Sequence, residues 1–236
     1  MSRDAVVITG ATRGLGQATA VAFAQSGRRV IGLYSGDEAA ADELRGTLRA
    51  FGSDSLVVKH DVSCEDALLW SRPEIEQATS LVLINNACAQ FTPRPLHLLG
   101  WDDFERNLNV NLKGSLFCSQ SVLRLMIKKG SGTIVNVLTM ALQGLPPKGF
   151  ASYVTAKHAL RGLTLALAAE YSPKGVRIFS VSPGFMSTSL TDGWDPRLVS
   201  AIRAASPGSD PQQAARRICE LVSSTATPGA GEDYPI

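Results

Sequence analysis

The amino-acid sequence predicts an α/β domain in which parallel strands alternate with helices, and two features carry this prediction. Short runs of Val, Ile and Leu recur between segments with helical periodicity. The run at 81–84 is apolar without interruption, as expected of a parallel strand covered on both faces. The first such run, 5–9, leads through a glycine-rich turn directly into a helical segment at 17–25. A strand, a glycine-rich turn and a helix in this order are typical of doubly wound parallel sheets.

The composition indicates one domain over residues 1–236, because 44% of the residues are hydrophobic and no segment reads as a linker. The net charge is +2, with 23 basic and 21 acidic residues mixed along the chain, which is no footprint for nucleic acid or an anionic membrane. No apolar run approaches the roughly 20 residues of a membrane span, and the first strand begins too early for a signal peptide. We therefore expect a cytoplasmic protein without a membrane segment.

Cysteine and histidine usage argues against a metal site. The four cysteines form no C-x-x-C pair, and the three histidines are scattered along the chain. We therefore expect neither bound metal nor a disulfide framework.

The turn after the first strand carries glycines at positions 10, 14 and 16. Glycine lets the backbone approach a pyrophosphate, and the N-terminus of the following helix supplies free N–H groups and partial positive charge. A tight turn that merely uses glycine is the alternative. Three glycines placed directly between a strand and a helix favour a dinucleotide site instead.

The end of the second predicted strand, 28–33, bears on the choice of cofactor. Tyrosine, serine and glycine follow at positions 34–36, whereas an acidic residue at this tip would bind the adenosine ribose and select NAD. Asp37 comes too late in the chain for that role. Arg13 in the glycine-rich turn can pair with a 2′-phosphate, and Ser35 can hydrogen-bond it. The sequence therefore favours NADP(H) over NAD(H), with an exposed loop arginine as the alternative for Arg13.

Tyr153 and Lys157 lie four residues apart at the start of a predicted helix over 151–171. That spacing places the phenol and the ammonium on one helix face, and a nearby ammonium lowers the pKa of a phenol toward the range of a general acid. Thr139 follows the predicted strand 132–138, at the strand's carboxyl end, where ligands bind in open α/β sheets. These groups suit protonation of a carbonyl oxygen while a hydride reaches its carbon. Taken alone, a Tyr–Lys pair at this spacing is more often a surface pair.

The spacing G-x-x-x-G-x-G and the Tyr-x-x-x-Lys pair resemble the short-chain dehydrogenase/reductase family. The resemblance extends from Ala5 to about Leu221 and is strongest to the classical 3-oxoacyl-[acyl-carrier-protein] reductases and discrete ketoreductases. It implies a three-layer doubly wound Rossmann fold with a mostly parallel seven-stranded sheet. Further features that follow in the family's order are Asp61-Val62, Asn85-Asn86-Ala87, Asn111, Thr139 and Pro183-Gly184.

The resemblance also implies which residues act. Asn111 distorts its helix and holds a water near the catalytic lysine, and a lid over the substrate spans about 185–210. The implied catalytic residues are Asn111, Thr139, Tyr153 and Lys157. The implied cofactor-binding residues are Gly10, Thr12, Arg13, Gly14, Leu15, Gly16, Ser35, Asp61, Val62, Asn86, Ala87, Tyr153, Lys157, Pro183, Gly184, Met186 and Thr188.

Three positions depart from the family pattern. Cys88 stands where the family has glycine, and Thr139 stands where it usually has serine; threonine keeps the hydroxyl but is stiffer at χ1. At 233–236 the chain stops where a final edge strand should run on into a glycine pair. The family resemblance implies a homodimer or homotetramer, and the short tail makes the tetramer less secure.

The sequence also predicts local structure after the third strand and within the helix over 101–129. Asp61-Val62 flanks the adenine in the resemblance, whereas capping of the next helix by Asp61 or Ser63 is the structural alternative. That next helix is expected to be short or irregular because Pro73 interrupts it. Within a long helix over 101–129, Asn107 and Asn109 are expected to be exposed.

Three functions fit this sequence. The first is an NADPH-dependent reductase of a ketone, with a 3-oxoacyl thioester or related ketide as the favoured substrate. The second is an alcohol dehydrogenase that oxidises a hydroxysteroid, polyol or secondary-metabolite intermediate. The third is a catalytically weak NADP-binding regulatory protein, suggested by Cys88, Thr139 and the short tail, and opposed by the presence of Tyr153, Lys157 and Asn111.

Overall fold

The computed structural model describes residues 4–52, 54–205, 208–224 and 229–236. Within them, seven strands form one sheet in which every neighbouring pair is parallel. The strands are β1 Ala5–Thr9, β2 Arg29–Tyr34, β3 Leu56–Lys59, β4 Leu81–Asn85, β5 Gly132–Val137, β6 Val176–Ser182 and β7 Asp233–Pro235. The helices are α1 Gly14–Gln25, α2 Glu38–Ala50, α3 Ala67–Trp70, α4 Pro73–Glu76, α5 Trp101–Leu108, α6 Gly114–Lys129, α7 Ala151–Tyr171, α8 Pro196–Ala205 and α9 Pro211–Ser223.

The strand order is β3-β2-β1-β4-β5-β6-β7. The order reverses between β1 and β4, so the connections leave toward opposite edges of the sheet and open a crevice at the carboxyl ends of these two strands. The predicted doubly wound Rossmann fold is confirmed, and the sheet is parallel throughout the described residues.

Two apolar layers cover the sheet, because alternate residues of each strand point to opposite faces. Val6 and Ile8 of β1 belong to the layer that also contains Phe23 of α1 and Ile218 of α9. Val7 of the same strand belongs to the opposite layer, which contains α6 and α7 side chains. Burial on both faces explains why the strands read as continuous apolar runs.

The long helix predicted over 101–129 is interrupted by a π-helical turn at Asn109–Lys113. Asn111, which was expected to distort this helix, lies within the turn and is fully buried. The expectation that Asn107 is exposed is wrong, since only 1% of its surface is accessible. Its side chain donates to the Asp103 carbonyl at 3.0 Å and to Ser152 Oγ at 3.3 Å, which couples α5 to α7. The expectation that Asn109 is exposed is also wrong, since its side chain is half-buried.

The segment after β3 is short and irregular, as predicted, with α3 and α4 of four residues each. The capping alternative for Asp61 and Ser63 is wrong. The Asp61 carboxylate accepts from the Ser63 backbone N–H at 2.9 Å and from its hydroxyl at 2.8 Å, which closes a local turn. Asp66 provides the cap by accepting from the backbone N–H groups of residues 68 and 69.

The edge of the sheet beyond β6 is occupied by β7, which is only three residues long. The expected final edge strand therefore forms in shortened form. The lid expected over 185–210 contains α8, and its residues 206–207 lie outside the described part of the chain. No helix in the described ranges has the length and apolar character needed to cross a bilayer.

Candidate active site

A cleft of about 950 Å³ follows the carboxyl edge of the sheet from β2 to the segment before α8. It brings together all of the sequence-predicted site residues except Gly16 and Asn111. Those two are buried behind the wall of the cleft. The glycine-rich turn lines the cleft at the end of β1, and the Tyr–Lys pair lines it from the first turns of α7.

The glycine-rich turn packs closely against the end of β4. Gly10 has φ of 63°, and a Cβ there would lie 3.0 Å from Ala87 Cα; a Cβ at Gly16 would lie 2.1 Å from the Gly10 carbonyl oxygen. Both positions therefore require glycine. Arg13 is the N-cap of α1 and makes no side-chain capping bond, so the first N–H groups of this helix are available to an anion.

Hydrogen bonds between the ends of β1 and β4 fix the floor of the cleft. Thr9 Oγ1 accepts from the backbone N–H groups of Asn86 and Ala87, both at 2.9 Å. The Asn86 side-chain amide donates in return to the carbonyls of Thr9 and Gly10 at 2.9 and 3.1 Å. This exchange holds residues 86–88 at the switch point of the sheet.

At the β2 end of the cleft, Arg13 forms an ion pair with Asp37. The Asp37 carboxylate also caps α2 by accepting from the Ala40 N–H at 3.0 Å, and these contacts, the Ala40 bond first and Arg13 second, lower its pKa. Asp37 lines the cleft beside Arg13, and the expectation that it comes too late to bind the adenosine ribose stays a prediction. Arg13 does not stand free, since its guanidinium is already paired. The sequence signal for Asp37 is its position as the residue immediately before a helix, where an N-cap aspartate turns back toward the strand tip.

Tyr153 and Lys157 both project from the first turns of α7 and are almost fully buried. The Lys157 ammonium donates to the Val137 carbonyl at 2.7 Å and lies 5.9 Å from the centre of the Tyr153 ring. Burial lowers the pKa of Lys157. The predicted surface-pair alternative is excluded by this burial.

The prediction that the pKa of Tyr153 is lowered toward the range of a general acid is wrong. Burial raises the pKa of the Tyr153 phenol, the Cys88 thiol adds to that effect, and the Thr139 hydroxyl opposes it. Burial likewise raises the pKa of Cys88. Tyr153 therefore holds its proton firmly at neutral pH.

The buried side chain of Asn111 has an oxygen without a hydrogen-bond donor among the described residues. Its side-chain amide donates to the Asn107 carbonyl at 3.0 Å, whereas its Oδ1 is buried and has no partner among the described residues. A buried oxygen of this kind calls for a water or ligand donor. Asn107, which sequence reasoning set aside as exposed, supports both Asn111 and the helix that carries Tyr153.

The wall opposite the sheet is the segment after β6. The Pro183 carbonyl accepts from the Met140 N–H at 2.9 Å, which ties this wall to the residue beside Thr139. The Gly184 N–H donates to Ser209 Oγ at 2.8 Å. Met186 and Thr188 also line the cleft.

Aromatic side chains that the sequence did not single out line the cleft beside Tyr153. Phe91 stacks on the Tyr153 ring, Phe150 meets that ring edge-on, and Trp194 packs against Phe91. Arg106 and Gln90 also lie here and border a second, smaller cavity of about 250 Å³. These residues come from separate segments of the chain and follow no helical or strand periodicity, so the sequence alone gives no signal that they meet in one place.

The doubly wound sheet, the glycine-rich turn at its switch point and the buried Tyr–Lys pair define the protein as an oxidoreductase of the Rossmann type. The sequence model described as short chain dehydrogenase matches residues 4–198. The chain belongs to the short-chain dehydrogenase/reductase family. Within the described residues, no group of three or more His, Cys, Asp or Glu side chains is arranged to hold a metal ion.

Three similar proteins illustrate the range of the family around this chain. A 3-oxoacyl-[acyl-carrier-protein] reductase of Synechocystis sp. is 32% identical over 196 residues, which cover 81% of this chain and 78% of the relative. A cis-4-hydroxycyclohexanecarboxylate dehydrogenase of Sinomonas cyclohexanicum is 34% identical over 227 residues, covering 94% and 90%. The crystal structure of an NAD⁺-bound xylitol dehydrogenase aligns with a TM-score of 0.88 at 25% identity, over 100% of this chain and 98% of that one.

Proposed function

We propose that this chain transfers a hydride from NADPH to a ketone carbon, while Tyr153 gives a proton to the carbonyl oxygen. The observation that carries the proposal is the burial of Tyr153 and Lys157 beside Thr139, in the same cleft as the glycine-rich turn. The product is a secondary alcohol, in which the carbonyl carbon has gained the hydride and the oxygen has gained the proton.

The residues present fit a dinucleotide. The closely packed glycines leave backbone N–H groups exposed to a pyrophosphate at the α1 N-terminus, and Asp61 and Val62 border the space for an adenine. When bound, the nicotinamide supplies the hydride. The nicotinamide ring would lie against the wall formed by the segment after β6, which contains Pro183, Gly184, Met186 and Thr188.

The side chains at the Tyr–Lys pair then divide the remaining work. Tyr153 donates its proton as negative charge develops on the carbonyl oxygen, and Thr139 supplies a second hydroxyl donor to the same oxygen. Lys157 has two N–H groups besides the one bonded to Val137, and these suit the hydroxyls of a ribose. The Asn111 oxygen suits a water that returns a proton toward Lys157.

NADP(H) is the proposed cofactor in preference to NAD(H), on the basis of Arg13 and Ser35 at the adenosine end. The Asp37 carboxylate competes for the Arg13 guanidinium, so the preference is expected to be modest. The same carboxylate could accept from a ribose hydroxyl, as an NAD-selecting acid does. The xylitol dehydrogenase structure contains NAD⁺, which supports NAD(H) as the alternative cofactor.

A 3-oxoacyl thioester or related ketide is the first substrate candidate, supported by similarity to the Synechocystis reductase. Oxidation of a secondary alcohol is the second candidate, supported by similarity to the Sinomonas cyclohexanecarboxylate dehydrogenase. Both use the same side chains, because proton donation in reduction is proton acceptance in oxidation. A catalytically weak NADP-binding regulatory protein is the remaining alternative.

We further propose a single domain over 1–236 with a lid near 185–210, acting in the cytoplasm as a homodimer or homotetramer. The proposed partner in the reaction is a small-molecule or carrier-bound carbonyl compound, and nucleic acid and membrane are not proposed partners. The mixed charge distribution and the net charge of +2 support this choice.

The proposed function is tested by following nicotinamide absorbance while the protein is offered NADPH with a panel of ketones, and NADP⁺ with the matching alcohols. Tyr153→Phe is the matched control, because it removes only the phenolic hydroxyl. We expect Tyr153→Phe to bind NADPH as the wild type does and to lose at least about two orders of magnitude in kcat. Wild-type turnover by Tyr153→Phe would reject the catalytic assignment. Tight NADPH binding without any turnover would favour the regulatory alternative.

A further inference from the structure

Two aromatic side chains contact the Tyr153 ring, and a third packs against both of them. Phe91 stacks on it with ring centres 4.8 Å apart and planes 10° apart, and Phe150 meets it edge-on at 5.9 Å. Trp194 meets Phe91 at 5.0 Å and Phe150 at 5.3 Å. All four rings line the cleft. Ring systems pack against such a wall in stacked or edge-to-face arrangements that are more favourable than their buried area alone.

The same aromatic cluster is held together across the cleft by hydrogen bonds. Trp194 is 7% exposed, and its indole N–H donates to the Phe91 carbonyl at 2.8 Å. The Gln90 side-chain amide donates to the Ser189 carbonyl at 3.3 Å. Residues 189–194 of the lid are thereby joined to residues 90–91, which narrows the space beside Tyr153 and favours a compact ligand.

Charge is sparse at this end of the cleft. The carboxylates that line the described part of the cleft, Asp37 and Asp61, belong to its adenosine end. Lys157 is buried and already bonded to a carbonyl, and Arg106 is exposed. Cys88 contributes a neutral thiol that packs against the aromatic cluster. A ligand hydroxyl that lies against the Phe91, Phe150 and Trp194 rings would give up its hydrogen bonds to water without a replacement from these rings.

On the basis of the proposed function, we infer that the substrate is a compact, uncharged ketone in which the carbonyl belongs to, or is attached to, an apolar ring. The carbonyl oxygen lies between the Tyr153 and Thr139 hydroxyls, and the ring packs against Phe91, Phe150 and Trp194. This substrate class excludes sugars and polyols, and it ranks ring ketones ahead of an extended 3-oxoacyl chain.

Three ketones of different shape and polarity test the substrate class. They are 2-tetralone, which is a bicyclic apolar ketone, the acetoacetyl thioester of N-acetylcysteamine, which is linear, and D-xylulose, which is polyhydroxylated. With NADPH in excess, kcat/KM for 2-tetralone should exceed that for each of the other two by about tenfold or more, the scale on which an apolar pocket discriminates. Equal or higher kcat/KM for xylulose or the thioester would overturn the inference and leave the proposed function standing. Absence of turnover with all three ketones and with the matching alcohols would overturn both.

Two variants test whether the aromatic cluster causes the selectivity. Phe91→Leu keeps an apolar side chain without the ring, and Trp194→Phe keeps a ring without the indole N–H. Phe91→Leu should lower the ratio of kcat/KM for 2-tetralone over xylulose by about threefold to tenfold, the scale of one aromatic contact. Trp194→Phe should lower it by a similar factor, because the hydrogen bond that holds residue 194 against the Phe91 carbonyl is lost. Phe104→Leu is the matched control, because Phe104 stacks on Trp101 away from the cleft, and its ratio should equal that of the wild type.

Folding of each variant is checked by thermal unfolding and by NADPH affinity, which should match the wild type. An unchanged ratio in both folded cleft variants would overturn the inference. A reduced ratio in Phe104→Leu equal to that in Phe91→Leu would also overturn it, since the selectivity would then not arise in the cleft. If Phe91→Leu does not fold, Trp194→Phe decides the question alone.

Discussion

At the scale of single residues, burial shifts the pKa values of Tyr153 and Lys157 in opposite directions. Removal from water disfavours the charged form of each group, so burial raises the pKa of the phenol and lowers the pKa of the ammonium. Sequence spacing placed the two side chains on the same helix face correctly. It could not reveal that the ammonium is bonded to the Val137 carbonyl, because a partner 20 residues away along the chain leaves no local signal.

The shift of Tyr153 predicts a high titration point in the protein without cofactor. Ultraviolet absorbance of phenolate is measured against pH for the wild type and for Tyr153→Phe, and the difference isolates Tyr153 from the other tyrosines. The difference should appear only above pH 10, the ordinary value of a tyrosine, because the folded protein binds this proton more tightly than a free phenol does. A difference already complete at about pH 9 would show that Lys157 prevails over burial. Circular dichroism at each pH confirms that the fold is retained.

The Arg13–Asp37 pair predicts a specific response of cofactor affinity to mutation. Asp37→Asn removes the charge that competes for Arg13 and keeps a residue that caps helices well. NADPH affinity should then rise by about threefold to tenfold, since a charge-assisted contact to the 2′-phosphate is released, whereas NADH affinity should stay the same or fall. Arg13→Ala should remove the preference for NADPH altogether. Affinities are measured by titration of intrinsic fluorescence.

Asp54→Asn is the control for this prediction, because Asp54 pairs with Arg29 in a similar surface arrangement outside the residues that line the cleft. It should leave both affinities unchanged. Equal affinity of the wild type for NADPH and NADH, combined with no response to Asp37→Asn, would contradict the assignment of Arg13 to the 2′-phosphate.

At the scale of elements, the short strand β7 supports the wall formed by the segment after β6. The Asp233 carboxylate accepts from Ser180 Oγ at 2.9 Å and from Ser182 Oγ at 2.8 and 3.0 Å. Both serines are at most 1% exposed. The Ile236 carbonyl accepts from the Gly184 N–H at 3.3 Å. The sequence indicates a final edge strand that stops early and a less secure tetramer, but nothing in the three residues of β7 indicates the serine partners on β6.

Asp233→Asn is therefore expected to make the segment after β6, the proposed nicotinamide wall, less rigid and to leave the adenosine end of the cleft unchanged. Exchanging one acceptor oxygen for an amide removes one or two of the serine bonds, worth about 0.5–1.5 kcal/mol each. NADPH affinity should fall by about threefold to tenfold, while affinity for 2′,5′-ADP, which lacks the nicotinamide, should be unchanged. Both are measured by calorimetry. Glu232→Gln is the control, since Glu232 accepts from the Gly229 N–H at the surface, and equal losses for the two ligands in Asp233→Asn would contradict the prediction.

At the scale of the whole molecule, sequence reasoning succeeded where a signal is local or repeats along the chain. The strands, the glycine-rich turn and the helix carrying Tyr153 are patterns of burial and backbone geometry, and they are found where they were predicted. The failures concern pairs that meet only after folding. Asp37 reaches Arg13 across 24 positions, and Trp194 reaches Phe91 across 103. The side chains that distinguish this cleft from others of its fold belong to that second kind.

The stability of the whole domain is expected to increase when the buried ammonium is removed. The pKa of Lys157 is lower in the folded protein than its ordinary value of 10.5. At any pH between these two pKa values, the folded protein therefore binds fewer protons at this residue than the unfolded chain does. Wild-type stability therefore rises with pH across this window, and the deficit caused by the buried charge is fully present below it. Lys157→Met keeps a flexible apolar side chain of similar length and has no such deficit.

Lys157→Met should accordingly unfold at a higher urea concentration than the wild type at pH 7, by about 0.5–2 kcal/mol in the free energy of unfolding, while losing turnover. The difference should shrink as pH rises toward 10.5, because the wild type loses its charge there. Lys129→Met is the control, since Lys129 is exposed and also donates to a backbone carbonyl; it should gain no stability. A difference between Lys157→Met and the wild type that stays constant across this pH range would mean that packing, and not the buried charge, sets the stability of this site.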